Sequence, residues 1–184
     1  VILFAVRGEA VREHLRMIDE LGLESAGIDL ASLAAPRPFL FQFRREQDRE
    51  RVTAVADLGR GGMRFTIARG ADLAFTKFFA VAGEKPDWDQ LGKEMGLCLR
   101  YFAVTFRGRT PEAVTCVGGE ALDPAALEHL SLVVGRPCRV GRPLLAIGVQ
   151  NAGKDKAEDS EAEWATAAGL AIKPVRRGLT AAAA

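Results

Sequence analysis

Apolar positions recur at intervals of three and four from Val11 through Leu15, Ile18 and Leu21, and this spacing predicts a helix over 9–21 that stops at Gly22. The run "VILFAV" at 1–6 predicts a strand ahead of it, and "SAGIDL" at 25–30 a second short strand behind it. Together they make a β-α-β unit of about thirty residues, the size at which a crossover helix joins two parallel strands. The stripe Val11, Leu15 and Ile18 is read as core rather than interface. Ala31 to Ala35 predicts a helical turn, broken by Pro36 and Pro38, and "FLFQF" at 39–43 fits either a strand or another turn of helix. The charged run "RREQDRER" at 44–51 is the best boundary between two structural units.

From residue 52 the period changes. "VTAVADLGRGGMRFTIARGADLAFTKFF" at 52–79 predicts three strands, turning first at Gly59 to Gly62 and then at Gly70. Pro86-Asp87 opens a helix that Asp87 or Asp89 caps, and Leu91, Met95, Cys98 or Leu99, Phe102 and Phe106 carry it to 106. "EAVTCVGG" predicts a strand running into a double glycine. "DPAALEHLSLVVG" predicts a helix capped by Asp123, with Pro124 at its first position. "RPCRVGRP" gives a brief strand, "NAGKDKAEDSEAE" a polar stretch and "WATAAGLAIK" a closing helix rich in small residues.

Composition adds exclusions. Lys and Arg number 25 against 24 Asp and Glu in 184 residues, so no net field favours general binding to nucleic acid or membranes. The pairs Arg44-Arg45 and Arg176-Arg177 and the run Arg49 to Arg51 are read as solvated surface. Cys98, Cys116 and Cys138 lack CxxC spacing and sit in apolar runs, which predicts buried free thiols in a reducing compartment. His14 and His129, each on a predicted helix and far apart, argue against a zinc site. No apolar run is long enough to cross a bilayer. The chain opens without Met inside an apolar run, and reads as a piece of a longer protein.

The chemistry concentrates in two glycine-rich bends. A hairpin turn needs one or two residues with positive φ. Gly59, Gly61 and Gly62 give three glycines in four positions, which points to backbone that closely approaches another group, such as a phosphate. Asp57 at the strand end suits a hydrated Mg²⁺, with Arg60 and Arg64 as phosphate partners or, more simply, surface residues. The plainer alternative is a flexible hairpin whose Asp caps its own turn. The second bend, Gly118-Gly119, lets backbone pass beneath a flat ligand such as an adenine or ribose, or is an ordinary strand-to-helix turn. The two bends are expected to face each other across a shared crevice.

The succession of these elements resembles the second half of the actin-like ATPase superfamily, which includes FtsA and sugar kinases. "AVADLGRGGMRFTI" looks like its second phosphate motif, "VTCVGGEALDP" like its adenosine motif, and "EWATAAGLAIK" like its closing helix. Within it, "VILFAVRGEAVREHLRMIDELGLESAGIDL" and "LGKEMGLCLRYFAVTF" resemble segments of PilM-like type IV pilus assembly proteins. The resemblance implies an α/β fold of the ribonuclease H-like, actin-like type, a mixed sheet flanked by helices. It implies the end of a small inserted subdomain at 1–43, a connector at 44–51 and an actin-like second lobe at 52–184. Carried over by position, Asp57, Gly59, Arg60, Gly61 and Gly62 would meet phosphate, and Gly118, Gly119 and Glu120 the nucleoside, with Asp57 toward Mg through water. Glu120 stands where relatives place a third glycine, and Arg60 to Gly62 replace the usual small hydroxyl residues.

The first phosphate motif is absent from these residues. ATP and Mg are therefore expected in the full-length protein, and turnover by this chain is not expected. The function implied is a cytoplasmic adaptor, peripheral at the inner membrane, that binds a PilN-like N-terminal peptide and other assembly components. The competing reading is part of a sugar or acetate kinase-like phosphotransferase.

Overall fold

The computed structural model describes residues 3–25, 27–43, 45–81, 85–106, 110–149 and 161–173. Most of the polar stretch, Arg44 and Arg176-Arg177 lie outside the described residues. The chain divides into two compact units, Val1–Leu30 and Ala31–Ala184.

The first unit is built on one helix, α1 (Gly8–Glu20). The predicted flanking strands are not formed: residues 3–7, 23–25 and 27–30 are irregular. A strand needs a hydrogen-bonding neighbour, and none forms here among the described residues. Leu3, Val6 and Ile28 stay exposed. The β-α-β expectation is thus corrected to a helix with irregular flanks. The stripe Val11, Leu15 and Ile18 is half-buried and α1 has no buried residue, so within this unit it is not a core.

The second unit begins with two short helices, α2 (Ala31–Ala34) and α3 (Arg37–Leu40). The ambiguous "FLFQF" resolves as the end of α3 and a turn, not a strand: Pro38 sits in the first turn of α3, where the ring-fixed φ of a proline suits a helix. Three strands follow, β1 (Val52–Gly59), β2 (Gly62–Arg69) and β3 (Asp72–Ala80), joined as an antiparallel meander. Next come α4 (Trp88–Thr105), β4 (Val114–Val117), α5 (Pro124–Val134), β5 (Cys138–Val140), α6 (Pro143–Ala146) and α7 (Ala165–Ala171). The caps are as the sequence predicts: Asp87 accepts from the Gln90 N–H at 3.0 Å and Asp123 from the Ala125 N–H at 2.9 Å. The helix α6 is not anticipated by the apolar pattern.

The sheet order is β3-β2-β1-β4-β5, with β4 and β5 parallel to β1. Alternation along β1 sends Ala54, Ala56 and Leu58 to one face, where they pack with Phe65, Met95 and Phe102 beneath α4 and α5. Burying each large side chain there contributes about 1.5–3 kcal/mol. The opposite face carries Val55 and Val117, which pack on Ala165 of α7 and on half-buried Phe39. Asp57 shares that second face by the same alternation. All three cysteines are free and buried. No helix among the described residues is long and apolar enough to cross a membrane.

Candidate functional site

The candidate site sits where two parallel strands end side by side. β1 and β4 pair with Asp57 opposite Val117, so the turn after β1 and the turn after β4 leave the sheet at the same end. Carboxyl ends of neighbouring parallel strands are where α/β sheets place ligands.

The first turn is a two-residue connection, Arg60-Gly61, between the paired Gly59 and Gly62. Its glycines have different reasons. Gly62, at φ +147°, lies against β3: a Cβ there would stand 2.2 Å from the Phe79 carbonyl oxygen and 2.8 Å from the Phe78 ring. That is a packing constraint within the sheet. Gly59 would meet only the Gly62 carbonyl oxygen at 3.7 Å, and Gly61 nothing within 4 Å. Arg60 and Gly61 are exposed at the tip.

The second turn enters a 3-10 turn, Gly119–Leu122, through Gly118 at φ +89°. A Cβ on Gly118 would be 2.4 Å from the Leu58 carbonyl oxygen and 2.9 Å from Asp57 Oδ1. The two bends therefore lie side by side at one end of the sheet, in close backbone approach. The Gly118 N–H donates to the Ala162 carbonyl at 3.0 Å, which brings a further 3-10 turn, Glu161–Trp164, to the same place. Gly119 is exposed, with Glu163 Oε1 3.3 Å from where its Cβ would be. Glu120 is half-buried. Two carboxylates, Glu120 and Glu163, thus belong to the 3-10 turns that meet at Gly118-Gly119.

Asp57, Arg64 and Phe78 form a row across three strands, each opposite the next in register. Arg64 Nη1 donates to Asp57 Oδ2 at 2.7 Å, and the guanidinium carbon lies 5.7 Å from the Phe78 ring centroid. The side chains of Arg64 and Asp57 are 28% and 21% exposed, so Arg64 is a fixed part of the site rather than the surface residue the sequence suggested. Burial pushes the Asp57 carboxyl above its ordinary value of 3.8, and Arg64 draws it partly back. The sequence offered a signal for the pair, since Asp57 and Arg64 fall opposite each other in any two-residue hairpin closed at Gly59 and Gly62. Glu163 and Ala162 had none, because they read as polar linker.

The fit to a metal can be judged from these contacts. Asp57, the carboxylate expected to face Mg²⁺ through water, has Oδ2 engaged by a guanidinium and Oδ1 2.9 Å from where a Cβ of Gly118 would stand. Among the described residues no group of three His, Cys, Asp or Glu could hold a metal ion. The Asp57 side chain is 21% exposed, so contact with Mg²⁺ would run through water. The glycine tip itself is open, with Arg60 and Gly61 exposed.

Comparison with solved structures places the architecture. The chain superposes on a PilM-PilN type IV pilus biogenesis complex with TM-score 0.75 over 91% of its residues, at 19% identity. The ethanolamine utilization protein EutJ from Carboxydothermus hydrogenoformans gives 0.59 over 91% at 16% identity. MreB5 of Spiroplasma citri bound to ADP gives 0.54 over 96% at 12%. The fold is that of the actin-like ATPases. It is the α/β class expected, a mixed five-stranded sheet flanked by helices. The chain spans 58% of the PilM-PilN chain, 62% of EutJ and 68% of MreB5. No family model and no curated protein matches it.

Proposed function

We propose that the chain is the second-lobe part of a PilM-like cytoplasmic adaptor in type IV pilus or related secretion assembly. In the full-length protein it would bind a nucleotide, and its output would be contact with the N-terminal peptide of a PilN-like inner-membrane protein. The observation that carries the reading is the superposition of 91% of the chain on a PilM-PilN complex at TM-score 0.75.

The site supports the nucleotide half of the reading. The exposed tip at Arg60 and Gly61, with half-buried Gly59 beside it, would take phosphate through backbone N–H groups and Arg charge. Gly118 and Gly119 would lie beneath the nucleoside, and Glu120 or Glu163 would accept from ribose hydroxyls. Bound nucleotide would act as a structural ligand or slow switch, stabilising the fold by mass action. A solved relative of this fold, MreB5, is bound to ADP.

The kinase reading is disfavoured by the Asp57–Arg64 ion pair. A phosphotransferase needs a carboxylate free to take the acceptor proton, whereas Asp57 is paired with Arg64. The test is a pull-down of the full-length protein with a PilN-like N-terminal peptide, with and without MgATP. Capture of the peptide is the expected result. No capture, together with phosphate transfer to a small alcohol, overturns the adaptor in favour of a kinase.

A further inference from the structure

β3 is an edge of the sheet: among the described residues it pairs with β2 alone. Asp72–Ala80 extends about 30 Å, and the outer side of its backbone has N–H and C=O groups that no strand among the described residues meets. Natural edges are blunted by proline, by bulges or by charges. β3 contains no proline, and from Phe75 to Ala80 it stays in unbroken register with β2. Its central charge, Lys77, is turned onto α4, where Nζ lies 3.6 Å from Glu94 Oε2.

α4 runs back along this edge. The Tyr101 ring lies 5.8 Å from the Phe75 ring between centroids, Glu94 meets Lys77, and the start of α4 stands beside Phe79 and Val81. Asp87, Gln90, Glu94, Leu97 and Tyr101, spaced three and four apart, therefore share one flank of the helix. Leu97 and Tyr101 remain 51% and 56% exposed. At the Asp87 end, helix and strand border a cavity of about 340 Å³. Phe79 and Leu91 give it an apolar lining, Asp87 and Glu94 give it negative charge, and no Lys or Arg among the described residues lines it.

A strand edge flanked by a helix is a geometry in which an extended peptide adds to a sheet. Main-chain hydrogen bonds hold it, and alternate side chains fill pockets. We propose that β3 and α4 form a docking groove for an extended segment of a partner protein, one that alternates apolar residues and carries Lys or Arg. The segment pairs its backbone with β3 and covers Leu97 and Tyr101 with an apolar side chain. Its basic residue lays an aliphatic stem on Phe79 and Leu91 and brings its cation to Asp87 and Glu94. A second copy of this chain fits less well, because a two-fold pairing sets the same carboxylates on both sides of the contact. No residue of the glycine turns lines the cavity, so the proposal stands whether or not those turns hold a nucleotide. It adds a second contact to the PilN-like one proposed above.

The test selects binders to the full-length protein from a phage-displayed library of random decapeptides. Selected peptides are expected to share apolar residues at every second position and at least one Lys or Arg. The strongest of them, synthesised with a fluorophore, is then measured by anisotropy. Glu94→Lys and Leu97→Asp are each expected to weaken it about tenfold or more, a loss on the scale of hot-spot truncation. Leu132→Asp, at an exposed position of α5, is the control and is expected to bind like the wild type. Hydrogen–deuterium exchange with the same peptide is expected to slow at 72–80. A selection that yields no binder, or binders without a cation, overturns the inference. So does binding that either folded groove variant leaves unchanged, or that leaves exchange at 72–80 as it was. A full-length dimer in sedimentation that Leu97→Asp dissolves gives the groove to a second copy, and that too overturns it. Circular dichroism checks the folding of each variant, and if a groove variant does not fold, the exchange measurement on the wild type decides.

Discussion

Gly118 lies against Asp57 with no room for a side chain between them: a Cβ would stand 2.9 Å from Asp57 Oδ1 and 2.4 Å from the Leu58 carbonyl oxygen. The turn after β4 thereby packs against the turn after β1 at one end of the sheet. Gly118→Ala adds a backbone clash to a φ of +89°. The expected loss is about 2–4 kcal/mol in chemical denaturation. Gly61→Ala is the control: nothing lies within 4 Å of its Cβ position, and its stability is expected within about 0.5 kcal/mol of the parent. If Gly118→Ala is equally harmless, the close approach is not real.

Asp57 makes stability depend on pH in a direction unusual for a carboxylate. Burial raises its folded pKa above 3.8 despite Arg64, so the folded state holds the proton more tightly than the unfolded chain. That contribution is fully present below the unfolded pKa and is lost as pH rises through the folded one. Asp57→Asn cannot ionise and escapes this loss. Denaturation midpoints measured across the acid range are therefore expected to move in favour of Asp57→Asn, relative to wild type, as pH rises. A shift in favour of the wild type would mean that Arg64 outweighs burial.

Glu161 is 5% exposed and accepts from the Leu145 N–H at 2.7 Å and from Arg142 Nε at 3.0 Å, tying α6 to the 3-10 turn whose Ala162 carbonyl receives the Gly118 N–H. Glu161→Ala leaves a backbone donor and a guanidinium without that acceptor, and the expected cost is about 2–3 kcal/mol in denaturant unfolding. Glu161→Gln keeps one acceptor oxygen and is expected to fall between the two. Equal stability for all three proteins would show that the contact is dispensable.

The three thiols are expected to react in a fixed order. Burial pushes Cys98 up to about 11. Cys116 donates a hydrogen bond to Cys138, which raises the first and, with Ser131, lowers the second. Thiolate is the nucleophile, and Cys138 is also the most exposed of the three at 8%. Iodoacetamide on the native protein, followed by peptide mass spectrometry, is expected to find Cys138 modified first. Modification of Cys116 or Cys98 ahead of it would contradict the pairing.

Much of this was legible because local signals and burial agreed. The period of α4, its Asp87 cap, and Asp123-Pro124 ahead of α5 each specify their element within a few residues. The misreadings share a cause: a strand is a relation between segments. "VILFAV" and "SAGIDL" have strand composition, yet the described residues show no neighbour for them to pair with. Glycines have the same ambiguity. The sequence shows that backbone is approached at Gly62 and Gly118, but only coordinates reveal that Phe79 and Leu58 do the approaching. Glu161 was hidden because a run of charged and small residues gives no hint that one carboxylate turns inward.

The most direct test of the central claim, that the two abutting turns form one nucleotide site, is hydrogen–deuterium exchange on the full-length protein with and without ATP. Slowed exchange is expected at both 57–62 and 118–121. ATP binding that leaves both segments unchanged, or protects only one, would contradict it.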